Sequence, residues 1–192
     1  MLNHNTTCLS LLSKGRNQWR TVLLTGALAL GGASQAQVIF DEDFTGDASS
    51  TGFTIAQTSG TCGWSYGNPG ARTISGAGFD AHFVIFDSDH CGNVGTSTGE
   101  LLSPVFDASA YTNFILTFDQ SYRAYFNSTA TVEVWNGTTW NIIYTLTTIN
   151  NVYPTAVPIT LDLTPAANGS PTARIRCRYA ANYAYWWALD NI

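Results

Sequence analysis

After residue 37 no apolar pattern of helical period runs for any length; what recurs is a period of two. Phe114-Ile115-Leu116-Thr117-Phe118 puts Phe114, Leu116 and Phe118 on one face of an extended chain, and Thr131-Val132-Glu133-Val134-Trp135 alternates polar with apolar. Ala81 to Phe86, Trp140 to Leu146, Val157 to Leu163, Arg174 to Tyr179 and Trp186 to Ile192 read the same way, with shorter pieces at Phe53-Thr54-Ile55 and Trp64-Ser65-Tyr66. Successive side chains of a strand leave opposite faces, so each run buries one face and solvates the other. Gly, Asn, Pro, Ser and Thr separate the runs. Asn136-Gly137, between Trp135 and Trp140, marks a hairpin because both residues tolerate the positive φ such turns require. Many short strands without interleaved helices predict an all-β fold, a two-sheet antiparallel sandwich.

The first 36 residues carry a different signal. Lys14, Arg16 and Arg20 precede an apolar run from Thr21 to Leu30, and Ser34-Gln35-Ala36 places small residues where a signal peptidase reads. The run is about half the roughly 20 apolar residues of a membrane span. A signal peptide over residues 1–36 is expected, with a single β-sandwich domain over residues 37–192. The sequence stops at Asp190-Asn191-Ile192 inside an apolar run. Two readings stand there: the natural gene continues, or this is a truncated reading frame.

Residues 37–192 contain five arginines, no lysine and thirteen acids, a formal net charge of −8. Nucleic-acid and anionic-membrane surfaces need clustered basic residues, so neither partner is expected, nor is membrane insertion of the mature chain. The charge suits cation binding. Of the cysteines past the leader, Cys62 and Cys91 sit in glycine-rich loops, while Cys177 alternates with Ile175 and Tyr179 on a core-facing strand. In an oxidising compartment this favours a Cys62–Cys91 disulfide with Cys177 as a buried free thiol.

Four segments resemble the MAM-like jelly rolls, among them the cleaved-adhesin and choice-of-anchor J modules of bacterial secreted proteins. Ile39-Phe40-Asp41-Glu42-Asp43-Phe44 is similar to their opening strand, and Phe86-Asp87-Ser88-Asp89 before a glycine-rich loop to their mid-domain signature. Leu101-Leu102-Ser103-Pro104-Val105-Phe106-Asp107 resembles their L-x-S-P strand, and Trp186-Trp187-Ala188-Leu189-Asp190-Asn191-Ile192 their closing strand. The resemblance implies a concanavalin-like jelly-roll sandwich that serves adhesion or accompanies secreted proteases and glycosidases. It also implies structural calcium where first and last strands meet, at Asp43 and Asp190. Thr45 stands where those relatives often carry an acid.

Gly95-Thr96-Ser97-Thr98-Gly99 matches the G-x-S-x-G pattern, but no helix follows Ser97 and no histidine lies beyond His90, so no catalytic residue is assigned. Asp87 and Asp89 leave one face at a strand end, and such a pair repels unless a cation or an arginine lies between. Calcium is one reading; a solvated strand end is the other. Tyr122, Tyr125, Tyr185 and Trp186 are the candidate ligand-binding aromatics, as a platform for sugars or protein partners; plain packing is the alternative. Of Trp186 and Trp187, one is expected in the core. Arg174, Arg176 and Arg178 are expected on a solvated sheet face balanced by acids. The residues favour a non-catalytic adhesion or targeting module, secreted or at the cell surface, that binds an extracellular protein or glycan. A secreted hydrolase and a structural spacer are the alternatives.

Overall fold

A computed structural model describes residues 37–192, Ala77 excepted; the expected signal peptide, residues 1–36, lies outside the described residues. Ten strands follow in chain order. They are β1 (Thr54–Ser59), β2 (Trp64–Tyr66), β3 (Val84–Asp87), β4 (Ser97–Leu102), β5 (Ile115–Ala124), β6 (Ser128–Trp135), β7 (Trp140–Leu146), β8 (Val152–Asp162), β9 (Arg174–Ala181) and β10 (Tyr185–Asp190). A short helix, α1 (Thr164–Ala167), and a 3-10 turn at Thr148–Asn150 complete the elements. The strands form two five-stranded sheets, β1-β4-β9-β6-β7 and β2-β3-β10-β5-β8, with every strand pairing antiparallel.

The period of two decides what lies between the sheets. In β6 Ala130, Val132 and Val134 are wholly buried, and in β9 Ile175, Cys177, Tyr179 and Ala181 alternate with half-buried residues. From the second sheet come Leu116, Phe118 and Tyr122 of β5 and Trp187 and Leu189 of β10. Rings meet between the sheets: Phe86 lies 5.0 Å edge to face from Tyr179, and Trp64 lies 5.4 Å from Trp187 in a tilted pair. Such contacts add to the area these large side chains bury. Gly99 of β4 makes room for two rings, since a Cβ there would lie 2.9 Å from Phe86 and 3.1 Å from Trp64.

The hairpin after β6 forms at Asn136-Gly137: the Asn136 side chain accepts hydrogen bonds from the Thr138 and Thr139 amides, and Gly137 has φ of 93°. Cys62 and Cys91 form the expected disulfide, and Cys177 is free and buried. Of the two tryptophans in β10, Trp187 is the core residue.

Two elements differ from the sequence reading. Ile39 to Phe44 forms no strand; only Glu42 pairs, exchanging two backbone hydrogen bonds with Ile192 at 2.8 and 2.9 Å. The chain ends do meet, but through one residue pair. β8 begins five residues earlier than Val157, the start that its sequence pattern suggested. Pro154 and Pro158 disguise it, and both are tolerated because β8 is an edge strand whose one strand neighbour is β5, with only a short bridge to Ser75 on its other side.

The outer face of the second sheet is partly covered. Ile74, Phe79 and Phe83, from the chain before β3, pack on Ile85, Trp186 and Ala188 as a second, small apolar cluster.

A candidate ligand-binding face

β5 and β10 are neighbours in register, with Tyr185 opposite Ala124, Trp186 opposite Arg123 and Trp187 opposite Tyr122. Opposed residues share a face. Tyr122 and Trp187 therefore point into the sandwich, and Arg123 and Trp186 point out. This corrects one candidate. Tyr122 is wholly buried, with its ring 6.2 Å from Trp187 and 6.2 Å from Tyr179, and burial pushes its phenol up to about 12. It belongs to the core because it is in step with Phe118 and Gln120, not with Tyr125.

The other three candidates come together. Tyr125 follows β5, is 48 % exposed, and lies 6.5 Å edge-on from Tyr185. Phe126, 72 % exposed, lies against Tyr125 with centroids 3.9 Å apart. Tyr185 stands 6.2 Å from Trp186. Trp186 is buried, so it is the floor of this patch and not an open platform; its Nε1 donates to Ser121 Oγ at 3.3 Å. Tyr183 and Tyr185, in and after the β9–β10 turn, have φ of 51° and 66°. Bulky residues seldom adopt such angles, and outliers of this kind gather at functional sites.

Two residues of the face had no place in the sequence reading. Arg123 sits over the Tyr185 ring at 3.7 Å, the Tyr153 ring at 4.4 Å and the Trp186 ring at 5.5 Å. Tyr153, at the start of β8, is exposed and lies 6.0 Å from Trp186. Alternation along Gln120-Ser121-Tyr122-Arg123 held the signal for Arg123. Tyr153 had none, because only the pairing of β8 with β5 brings it there.

Beside this cluster Arg72 lies 4.8 Å from the Trp186 ring and lies between Asp87 and Asp89. Its Nε and Nη2 donate to Asp87 at 2.7 Å each, and Nη2 also donates to Asp89 at 2.9 Å. The His90 amide donates to Asp87 at 2.9 Å. An arginine thus lies between Asp87 and Asp89, where the sequence reading left a cation or an arginine open, and offsets their repulsion.

Asp43 and Asp190 differ in environment. Asp43 is exposed and accepts the Thr45 amide at 3.0 Å, because Glu42 and Phe44, its neighbours in the alternation, take the inward direction. Glu42 is wholly buried and accepts from the Phe44 and Thr51 amides and the Ser49 and Thr51 hydroxyls. Burial alone would raise its carboxyl; those hydrogen bonds outweigh it and hold the group below its ordinary value. Asp190, also buried, accepts the Asn191 amide at 2.8 Å. Burial, with the charges of Asp80 and Asp119 nearby, pushes it up to about 7. Among the described residues no three acidic, histidine or cysteine side chains converge as a metal cluster.

Ser97 opens β4 fully buried, and its Oγ accepts the Thr61 and Cys62 amides at 3.1 Å each. It ties the Cys62 loop to the sheet. On the outer face of the first sheet Arg176 bonds Glu100 at 2.9 Å and also Glu133, and lies 4.1 Å from the Trp140 ring. The expected balance of arginines by acids is met there within the sheet itself.

No family model matches the chain, and no curated protein matches it. Solved structures do. The K1 cleaved adhesin domain of Lys-gingipain from Porphyromonas gingivalis W83 superposes with a TM-score of 0.56 at 20% identity, over 79% of this chain and 94% of that domain. The K3 cleaved adhesin domain of the same protein gives 0.53 at 15% identity, over 80% and 95%. A carbohydrate-binding module of the β-sandwich superfamily gives 0.54 at 15% identity, over 79% of this chain and 59% of that one. The domain has the cleaved-adhesin-like jelly-roll fold.

Proposed function

We propose that this chain is a non-catalytic binding module, secreted or at the cell surface, that takes glycan on the outer face of β5, β10 and β8. The observation that carries this is the cluster of exposed rings, Tyr125, Phe126 and Tyr153, set around Tyr185 and Arg123 over a buried Trp186 floor. Rings whose positions are fixed by neighbours stack on apolar faces of sugars with little ordering cost. The kinship of fold with a carbohydrate-binding module and two adhesin domains supports the reading. The outer face of the first sheet is the weaker candidate, since Arg176 is already set against Glu100, Glu133 and the Trp140 ring.

The test is a glycan array probed with the full chain, followed by titration calorimetry on the hits. Tyr125→Ala and Phe126→Ala should each weaken binding about tenfold, the scale of one lost ring contact. Ser97→Ala should leave hits bound and unhydrolysed. A blank array, with Tyr125-dependent capture of an extracellular-matrix protein, would replace glycan by a protein partner. Hydrolysis lost in Ser97→Ala would overturn the non-catalytic reading.

For calcium, we propose Asp190 first among the expected positions. Its burial, with no ion pair recorded among the described residues, supports one structural ion there. Backbone carbonyls would have to complete the oxygen shell that calcium needs. Its loss should lower Tm in chelator, and Asp190→Asn should abolish that response while Asp43→Ala and Asp87→Ala leave it. A melting curve indifferent to calcium and chelator removes the ion.

A further inference from the structure

Residues 37–192 contain thirteen acids and five arginines, so a cation there has no shortage of partners. Three of the five arginines find an acid, and a fourth finds neutral acceptors. Arg72 holds Asp87 and Asp89, Arg176 holds Glu100 and Glu133, Arg178 lies 3.8 Å from Glu100, and Arg174 donates to the Ser103 carbonyl and to Thr54 Oγ1. Among the described residues Arg123 alone has neither an ion pair nor a hydrogen bond recorded to its side chain, although it is half-buried.

The reason is geometric. Tyr185 at 3.7 Å and Tyr153 at 4.4 Å cover the guanidinium, and Trp186 lies beyond at 5.5 Å. Aromatic faces attract a cation but accept little of its hydrogen-bonding capacity. A guanidinium carries five N–H donors in a rigid fork that matches the two oxygens of a carboxylate or sulfate. Here the rings fix the fork; of the acids on the same face, Asp87 and Asp89 are engaged by Arg72, and Asp119 and Asp190 oppose one another four residues further along β5 and β10. The group is immobilised in advance, partly desolvated and unpaired, and it lies among the rings assigned above to sugar stacking.

We propose that the glycan taken by this face bears an oxyanion, a carboxylate or a sulfate ester, which pairs with Arg123. This rests on the glycan reading and specifies it. A formal charge of −8 over residues 37–192 sets a second condition. A densely charged polyanion is repelled by the rest of the domain at low ionic strength, whereas one acidic sugar on a neutral backbone is not. The ligand class is therefore a sparsely acidic glycan.

Matched pairs test it with the full chain: lactose against 3′-sialyllactose, lactose against 3′-sulfolactose, and neutral xylo-oligosaccharides against the same oligosaccharides bearing one glucuronate. The acidic member should bind about tenfold to a hundredfold more tightly, the scale of a charge-assisted pair. The sialyl and sulfo arms tell carboxylate from sulfate. Arg123→Gln should bring the members of each pair within about threefold of each other, and Arg123→Lys, which keeps charge but loses the fork, should fall between. Heparin at low salt should bind no better than the singly charged probes. If a variant fails to fold, competition on the unaltered chain by glucuronate against glucose reads the same preference. Equal binding of acidic and neutral members, or a preference that survives Arg123→Gln, overturns the proposal while glycan binding stands. A chain that binds no glycan at all removes both.

Discussion

Arg72→Ala should be among the most destabilising single changes on the outer surface of the second sheet. Asp87 is 3 % exposed, and Arg72 supplies two of its three recorded side-chain hydrogen bonds, both at 2.7 Å, the third being the His90 amide. Truncation leaves a buried carboxylate with one donor and sets it beside Asp89 with no cation between them. Breaking a buried pair in this way costs about 3–5 kcal/mol. The guanidinium keeps some exposure and Asp89 more, so the lower end, about 3 kcal/mol, is the working figure. The cation–π contact with Trp186 at 4.8 Å is lost as well. For a domain of this size about 3 kcal/mol lowers Tm by roughly 6–12 °C. Urea unfolding of the unaltered chain, Arg72→Ala, Asp87→Asn and the double variant forms a cycle. The double variant should be less destabilised than the two single costs added, by about 1.5 kcal/mol or more, because removing the charge relieves what Arg72→Ala exposes. A cost under about 1 kcal/mol for Arg72→Ala, or additivity within about 0.5 kcal/mol, would refute the pairing as the source of stability.

Replacing Cys62 and Cys91 by serine opens a loop of 29 residues and should cost on the order of 3–4 kcal/mol in the chain-entropy picture, with Cys177→Ser leaving the reduction sensitivity unchanged. Glu42 is held below its ordinary value in the folded state, so its stabilisation is fully present above the unfolded carboxyl pKa and is lost as pH falls through the folded one. Glu42→Gln should therefore destabilise at pH 7 and flatten the acid limb of a Tm-against-pH curve; an acid limb of unchanged steepness contradicts this. Gly99→Ala forces a methyl against Phe86 and Trp64 at 2.9 and 3.1 Å and should cost about 1–3 kcal/mol, read from the urea midpoint at constant m-value.

Local chemistry wrote much of this protein into its sequence. The period of two set which residues of β5, β6, β9 and β10 face inward, Asn136-Gly137 set the β6–β7 hairpin, and two loop cysteines against one strand cysteine set the disulfide. These depend on backbone stereochemistry and on whether a side chain prefers water, both of which act within a few residues. The face around Arg123 depends on register. Tyr122 and Tyr125 are three residues apart, yet one is core and the other surface, because pairing with β10 fixes the inward phase of β5 and the strand ends before Tyr125. Arg72 reaches Asp87 and Asp89, and Tyr153 reaches Arg123, across 15, 17 and 30 residues of chain that no periodicity connects. Whether an aspartate pair meets a metal or an arginine is decided only when the chain before β3 packs on the sheet. That placement is fixed by the packing of Ile74, Phe79 and Phe83 on Trp186, a choice among compact arrangements that short-range preferences do not make.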